Sequence, residues 1–284
     1  MTAPTPTGAA APTGASAVRA LRYLYRLPFL VWHVLVHLPL AMLLTMPLFA
    51  RLRWGDEPLD YRVIRAWSAG LMRVFGFRLR RVGTPLPGAA MFVANHVSWI
   101  DIETLHSQRM MGFVAKREIQ SWPVVGWMAQ RGETIFHARG STESLGGVLH
   151  EMLARLRSGR SVGVFPEGGT RGGRELGPFH ARIFLAAVEA GVPVQPVALL
   201  YGEGGSAQHI VAFQKRESFF ANFVRLLGEP PRLVEVHFLE PIAPGAAEGR
   251  RRIAELARSR IAAAMGHGPE RVAADARGSD PAQG

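Results

Sequence analysis

The sequence predicts an α/β domain, with a largely parallel central sheet flanked by helices and preceded by an N-terminal apolar helical hairpin. Three observations carry this. Short apolar runs of strand length alternate with helical patterns through the middle of the chain. One such run, Met91–Ala94, ends in Asn95-His96 and is followed four residues later by Asp101. Near the start, Leu27 to Ala50 is a stretch of 24 residues without Asp, Glu, Lys or Arg.

In chain order, residues 1–17 are mostly Ala, Pro, Thr and Gly without periodicity, a composition that predicts a disordered tail. Residues 18–57 form the membrane-associating segment. As one helix, Leu27 to Ala50 would reach about 36 Å, enough for a bilayer core of about 30 Å. Pro39 near its middle predicts two short helices with a bend. Arginines flank both ends, Arg19, Arg22 and Arg26 before and Arg51 and Arg53 after. That symmetry gives a single span no clear orientation and suits a hairpin lying in one leaflet equally well.

Residues 58–266 form the α/β domain. Val63, Trp67, Leu71 and Val74 lie along one side of a helix from Pro58 to Phe75. Strands are predicted at Phe77–Val82, Met91–Ala94, Gly112–Ala115, Thr134–Phe136, Ser161–Phe165, Val194–Leu200 and Leu233–Leu239. Helices are predicted from Ser98 to about Ser107, from a Ser141 cap to Ser158, over His180–Ala190 and from Ala246 to Ala264. Ile119 to Gln130 is an apolar segment with two tryptophans. Residues 267–284 are a second disordered tail.

The formal net charge is +11, and all but two of the basic residues are arginines, the exceptions being Lys116 and Lys215. A basic excess suits anionic headgroups or a phosphorylated small molecule. Zinc spacings, RNA-binding aromatic signatures and lysine-rich tails are lacking, so nucleic acid is not the expected partner. With no cysteine there is no thiol nucleophile, disulfide or cysteine metal site.

His96 is the candidate general base and Asp101, one helical turn on, its orienter. No Gly-x-Ser-x-Gly elbow accompanies them, so a covalent acyl-enzyme is not expected and the base would act on a substrate hydroxyl directly. Phe165-Pro166-Glu167-Gly168-Gly169-Thr170-Arg171 follows a strand and precedes a helix, with the glycines and arginines of a phosphate cradle. Arg139 and Lys116 each leave a strand end where an anion could be met.

These blocks together resemble the bacterial 1-acylglycerol-3-phosphate (lysophosphatidic acid) acyltransferases, within the glycerolipid acyltransferases. Asn95, His96 and Asp101 match the family's Asn-His-x4-Asp block. Val114-Ala115-Lys116-Arg117-Glu118, Gly132 to Arg139, Phe165 to Arg171 and Val192 to Val197 match later blocks in order. Two departures stand out: an extra glycine at Gly168-Gly169, and His137 where an acidic residue is common. The resemblance implies a glycerolipid acyltransferase fold. It also implies acyl transfer from acyl-coenzyme A or acyl carrier protein to the 2-hydroxyl of lysophosphatidic acid. His96 and Asp101 would be catalytic, and Asn95, Lys116, Arg139, Glu167, Gly168, Gly169, Thr170 and Arg171 would bind substrate. It implies no metal and no cofactor beyond the thioester, and a place at the cytoplasmic face of the inner membrane. Another lysolipid acceptor, such as lyso-ornithine lipid, stays open, as do a non-catalytic lipid binder and a hydrolase using water.

Overall fold

The computed structural model describes residues 13–266 except 51, 56, 139–141 and 174. Both predicted tails lie mainly outside the described residues. Within them the chain is already helical at Thr13, earlier than the tail predicted to residue 17.

Helix α1 (Thr13–Trp32), one π turn (His33–His37) and α2 (Leu38–Leu44) follow one another without leaving helical geometry. The two separate helices expected around Pro39 are therefore corrected to one uninterrupted helical run. A proline lacks the N–H for the fourth carbonyl back and crowds it. The wider π turn sits just ahead of Pro39, with the Leu38 N–H donating to the His33 carbonyl. It absorbs the misfit, and the helix continues. The chain first turns at Thr45–Met46, into α3 (Pro47–Ala50) and a two-stranded antiparallel ribbon of β1 (Arg53–Trp54) and β2 (Glu57–Pro58). Helix α4 (Leu59–Val74) then packs back along the long helix, the His33 and Trp67 rings 5.0 Å apart. A helical hairpin is thus present, but its second arm is α4 rather than part of the uncharged stretch.

The arginines before the apolar stretch are not simply flanking charges. Arg26 is 1% exposed and donates to the carbonyls of Leu227 and Glu229, both at 2.8 Å. Arg22 donates to Gly228 O and Arg19 to Arg225 O. These carbonyls close α10 (Phe219–Leu227), and cations at a helix C-terminus satisfy its open acceptors and its dipole. Gly76, with φ +81°, leaves the room: a Cβ there would collide with the Arg26 guanidinium.

The main sheet contains β3 (Phe77–Val82), β4 (Met91–Ala94), β5 (Gly112–Lys116), β6 (Ile135–His137), β7 (Val162–Val164), β8 (Val194–Tyr201) and β9 (Arg232–Phe238), in the order β3-β9-β8-β4-β7-β5-β6. All neighbours are parallel except β8 and β9. The predicted strands are all found, with ends within about one residue, as boundary assignments allow. Side chains alternate across the sheet. Phe92 and Ala94 of β4 face a core shared with α4, α5 (Ile100–His106) and α10. Met91 and Val93 face a second core shared with α7 (Thr142–Arg157), α8 (Leu185–Ala190) and α11 (Gly249–Ala264). Helix α6 (Val125–Arg131) falls in the two-tryptophan segment. Two helices had no sequence prediction, the short α9 (Gln208–Val211) and α10.

His106, the last residue of α5, is buried beside Phe113 and hydrogen-bonds the Met111 carbonyl through Nε2 at 2.9 Å. Burial holds its pKa down at about 4. The fold favours the neutral ring, so the associated stability is complete above the free value near 6.5 and declines as pH falls towards 4. At about 1.4 kcal/mol per pKa unit, the wild type should lose about 2–3 kcal/mol more than His106→Gln between pH 7.5 and 4.5. Denaturant unfolding in detergent at the two pH values measures this. Equal losses would remove His106 as the source.

Candidate active site

His96 lies two residues beyond β4 at the carboxyl edge of the sheet. The strand before β4 lies to one side of it and the strand after it to the other, which makes this edge a topological switch point. The edges of β4, β7, β5 and β6 all point the same way, so the turns that follow them gather along one rim.

His96 Nδ1 lies 2.7 Å from Asp101 Oδ2. The N–H groups of Val97 (2.7 Å) and Ser98 (2.9 Å) donate to the same oxygen. Oδ1 accepts the Tyr201 hydroxyl at 2.6 Å. Asp101 has no exposed surface, and four donors compensate its buried charge. An acceptor at Nδ1 assigns the proton to that nitrogen and leaves Nε2 as the basic edge. Among the described residues nothing hydrogen-bonds Nε2. The imidazole stacks on Phe165, centroids 3.9 Å apart and planes 12° from parallel, and Phe165 stacks in turn on Phe113. Two rings thus fix the plane in which Nε2 points.

Ser98, where the helix was predicted to begin, lies ahead of it and does not cap it. Asp101 gathers the N–H groups ahead of α5, and Ser98 Oγ donates to Asn222 Oδ1 on α10 at 3.1 Å. Trp99 Nε1 donates to the same oxygen at 3.0 Å. Asn222, fully buried, therefore ties the turn after His96 to α10.

The loop after β7 is sewn to His96 on both sides of its backbone. Glu167 Oε1 accepts the His96 N–H at 3.0 Å, and the Arg171 N–H donates to the His96 carbonyl at 3.0 Å. Glu167 Oε2 accepts the Gly177 N–H at 2.8 Å. Burial raises the Glu167 carboxyl pKa, opposed by these two N–H groups and by His96 and Arg171. Both oxygens of Glu167, expected as a phosphate ligand, are thus engaged by backbone N–H groups. Asn95, also expected to bind substrate, is likewise engaged by backbone. It is buried, with its amide bonded both ways to the backbone of Leu199, at 3.0 and 2.8 Å.

The other predicted ligands divide. Arg171 is exposed, its Nε 3.7 Å from Glu167 Oε2. Gly168 needs its φ of +73° and lies against His180, whereas a Cβ on Gly169 would meet open space. Thr170 is exposed beside them. Lys116 is exposed at the end of β5, in register with His137 of β6. Arg139 lies outside the described residues. Among the described residues, no cluster of His, Asp and Glu suits a metal ion.

Tyr201 was not read from the sequence; its hydroxyl is bonded to Asp101. Burial and the neighbouring carboxylate push its phenol pKa well above the usual value, so it remains a donor. A hydrogen bond to a buried charge contributes about 1.5–3 kcal/mol, so Tyr201→Phe should lower kcat by about tenfold or more. Acceptor KM should hardly change. The acid limb of the pH–rate profile should move to higher pH, because a less satisfied carboxylate strengthens its hold on the imidazolium. Lower stability with an unmoved profile would make Tyr201 a packing residue only.

The arrangement is a base edge at a sheet rim, backed by a buried carboxylate and bordered by exposed cations. The known proteins agree. A family described as Acyltransferase matches residues 80–200. The lyso-ornithine lipid O-acyltransferase of Pseudomonas aeruginosa is 37% identical over 210 residues, 73% of this chain and 81% of that one. The 1-acyl-sn-glycerol-3-phosphate acyltransferase of Neisseria gonorrhoeae is 38% identical over 143 residues, 49% of this chain and 56% of that one. The crystal structure of the 1-acyl-sn-glycerophosphate (LPA) acyltransferase from Thermotoga maritima shares the fold, with TM-score 0.69 and 18% identity, over 95% of this chain and 100% of that one. With the His96–Asp101 pair on the sheet rim and this breadth of likeness, the chain belongs to the glycerolipid acyltransferases and is an acyltransferase.

Proposed function

We propose that the protein transfers an acyl group from a thioester, acyl-coenzyme A or acyl carrier protein, to the free hydroxyl of a lysolipid. The observation that supports this most is the His96 ring, bonded to Asp101 at Nδ1 with Nε2 turned to the rim. Nε2 takes the hydroxyl proton as the lipid oxygen attacks the thioester carbonyl. The new C–O bond forms, the C–S bond breaks, and the imidazolium returns its proton to the leaving thiolate. Asp101 holds the ring and stabilises the imidazolium.

Of two acceptors, we favour lyso-ornithine lipid. The relative named for it is matched over 81% of its length, the Neisseria relative over 56%. Lysophosphatidic acid, the acceptor the sequence blocks imply, is the second reading. Exposed Arg171 and Lys116 near the rim favour it, as sites for a phosphate. The reaction belongs at the cytoplasmic face of the inner membrane, where thioester donors are made and where the helix Ser16–Leu44, long and apolar enough to cross a bilayer, would hold the domain.

The test supplies purified protein with labelled acyl thioester and each lysolipid in turn. The expected result is diacylated lipid, with kcat/KM at least about tenfold higher for lyso-ornithine lipid, a difference of about 1.4 kcal/mol. The reverse preference overturns the acceptor and leaves the transfer. Free fatty acid alone overturns the transfer.

A further inference from the structure

Beyond the long helix and the Met46, Leu48 and Leu52 side chains that follow it, large apolar side chains are also exposed together on the catalytic domain. On α10, Phe220 is 71% exposed and Val224 is also exposed. In the turn before α6, Trp122, Pro123 and Val124 are all exposed. The two are joined, the Trp122 and Phe219 rings meeting edge to face at 5.4 Å. Helix α1 borders the same patch, Tyr23 donating to the Val224 carbonyl at 2.9 Å. Leu21 and Leu24 on α1 are themselves exposed. An apolar band therefore runs from α1 across α10 to the Trp122–Val124 turn. Its inner side touches the active site, since Phe219 and Phe223 pack on Trp99, three residues from His96.

Two features argue against chance exposure. Val124 has φ +64° and ψ −57°, a positive-φ backbone that a β-branched residue adopts only under strain. The strained residue closes an exposed apolar tripeptide. The turn leading into α10 carries Lys215 and Arg216, both exposed, where the band meets its polar border. Aromatic and aliphatic groups beside exposed cations match the boundary between acyl chains and anionic headgroups.

We propose that α10 and the Trp122–Val124 turn form a second bilayer contact, beside the apolar helix, that seats the His96 rim at the lipid surface. The inference rests on reading Ser16–Leu44 as a membrane element, and it adds a surface of the catalytic domain itself. The long helix fixes where the chain is held. The α10 band fixes how the domain is turned, with the mouth of the site towards the lipid.

The absence of native cysteine makes a direct test available. Full-length Phe220→Cys and Val124→Cys each receive one environment-sensitive fluorophore. Leu40→Cys in the long helix and Arg252→Cys on α11, over the other core, serve as references. The proteins are reconstituted in phosphatidylcholine/phosphatidylglycerol vesicles with nitroxide-labelled lipid. At interfacial depths of about 5–10 Å, the labels at 220 and 124 should lose about half their emission, with the label at 40 also quenched and that at 252 not. Quenching at 40 with none at 220 and 124 would overturn this inference and leave the membrane helix. No quenching at any position would overturn both. Protection of 220 and 124 that vanishes on protein dilution, without lipid quenching, would assign the band to a second copy and overturn the proposal.

Discussion

His96→Ala should abolish acyl transfer while the protein stays folded and membrane-bound. General base catalysis contributes about 10²–10⁴ in rate, so a loss of about a thousandfold in kcat is expected. The variant is a clean probe because of the way Asp101 is held. Removing the imidazole takes away one of four donors, and the N–H groups of Val97 and Ser98 and the Tyr201 hydroxyl remain on the buried carboxylate. The backbone of residue 96 keeps its bonds to Glu167 and Arg171. Only the stack on Phe165 is lost from the packing. Single-turnover assays with labelled thioester, run beside vesicle co-sedimentation and thermal unfolding, separate chemistry from folding. Turnover within tenfold of the wild type would sink the mechanism.

The dyad was legible in the sequence because it is local. His96 and Asp101 are five residues apart, and a strand end followed by the first turn of a helix closes that gap without help from elsewhere. The strands were legible for the same reason, as short apolar runs between turn residues. What could not be read depends on distant partners. Tyr201 reaches Asp101 across 100 residues, and Glu167 reaches the His96 N–H across 71. A glutamate in a glycine-rich loop looks like part of an anion cradle until its two backbone donors are known. Arg19, Arg22 and Arg26 read as flanking charges, because nothing near them in sequence announces a helix C-terminus some 200 residues away. Helix α10 left a signal that went unread. Ser218 caps it, accepting the Ala221 N–H, and Gly228 follows its last residue. Between them, Phe219, Phe223 and Leu226 fall at helical spacing.

Glu167→Gln is the variant that distinguishes a loop clamp from a ligand. In the folded protein each oxygen of Glu167 faces a backbone N–H, from His96 and from Gly177. An amide supplies one oxygen and one NH2, so one of those donors must face another donor. In a buried site that conflict costs about 1–3 kcal/mol, and the loop can relieve it only by moving. The loop is bonded to the backbone of His96, so movement there shifts the base. A displacement of about 1 Å at a reacting group can cost about a hundredfold in rate. The expected result is therefore a kcat lower by about a hundredfold, a small loss of stability and a nearly constant acceptor KM. If Glu167 instead touched an anionic headgroup, the amide would remove a repulsion, and KM would fall while kcat and stability held. Steady-state kinetics over a range of acceptor concentrations, with unfolding measured on the same samples, distinguish the two. A lowered KM at unchanged kcat would return Glu167 to the binding site and leave the two backbone N–H groups as its incidental neighbours.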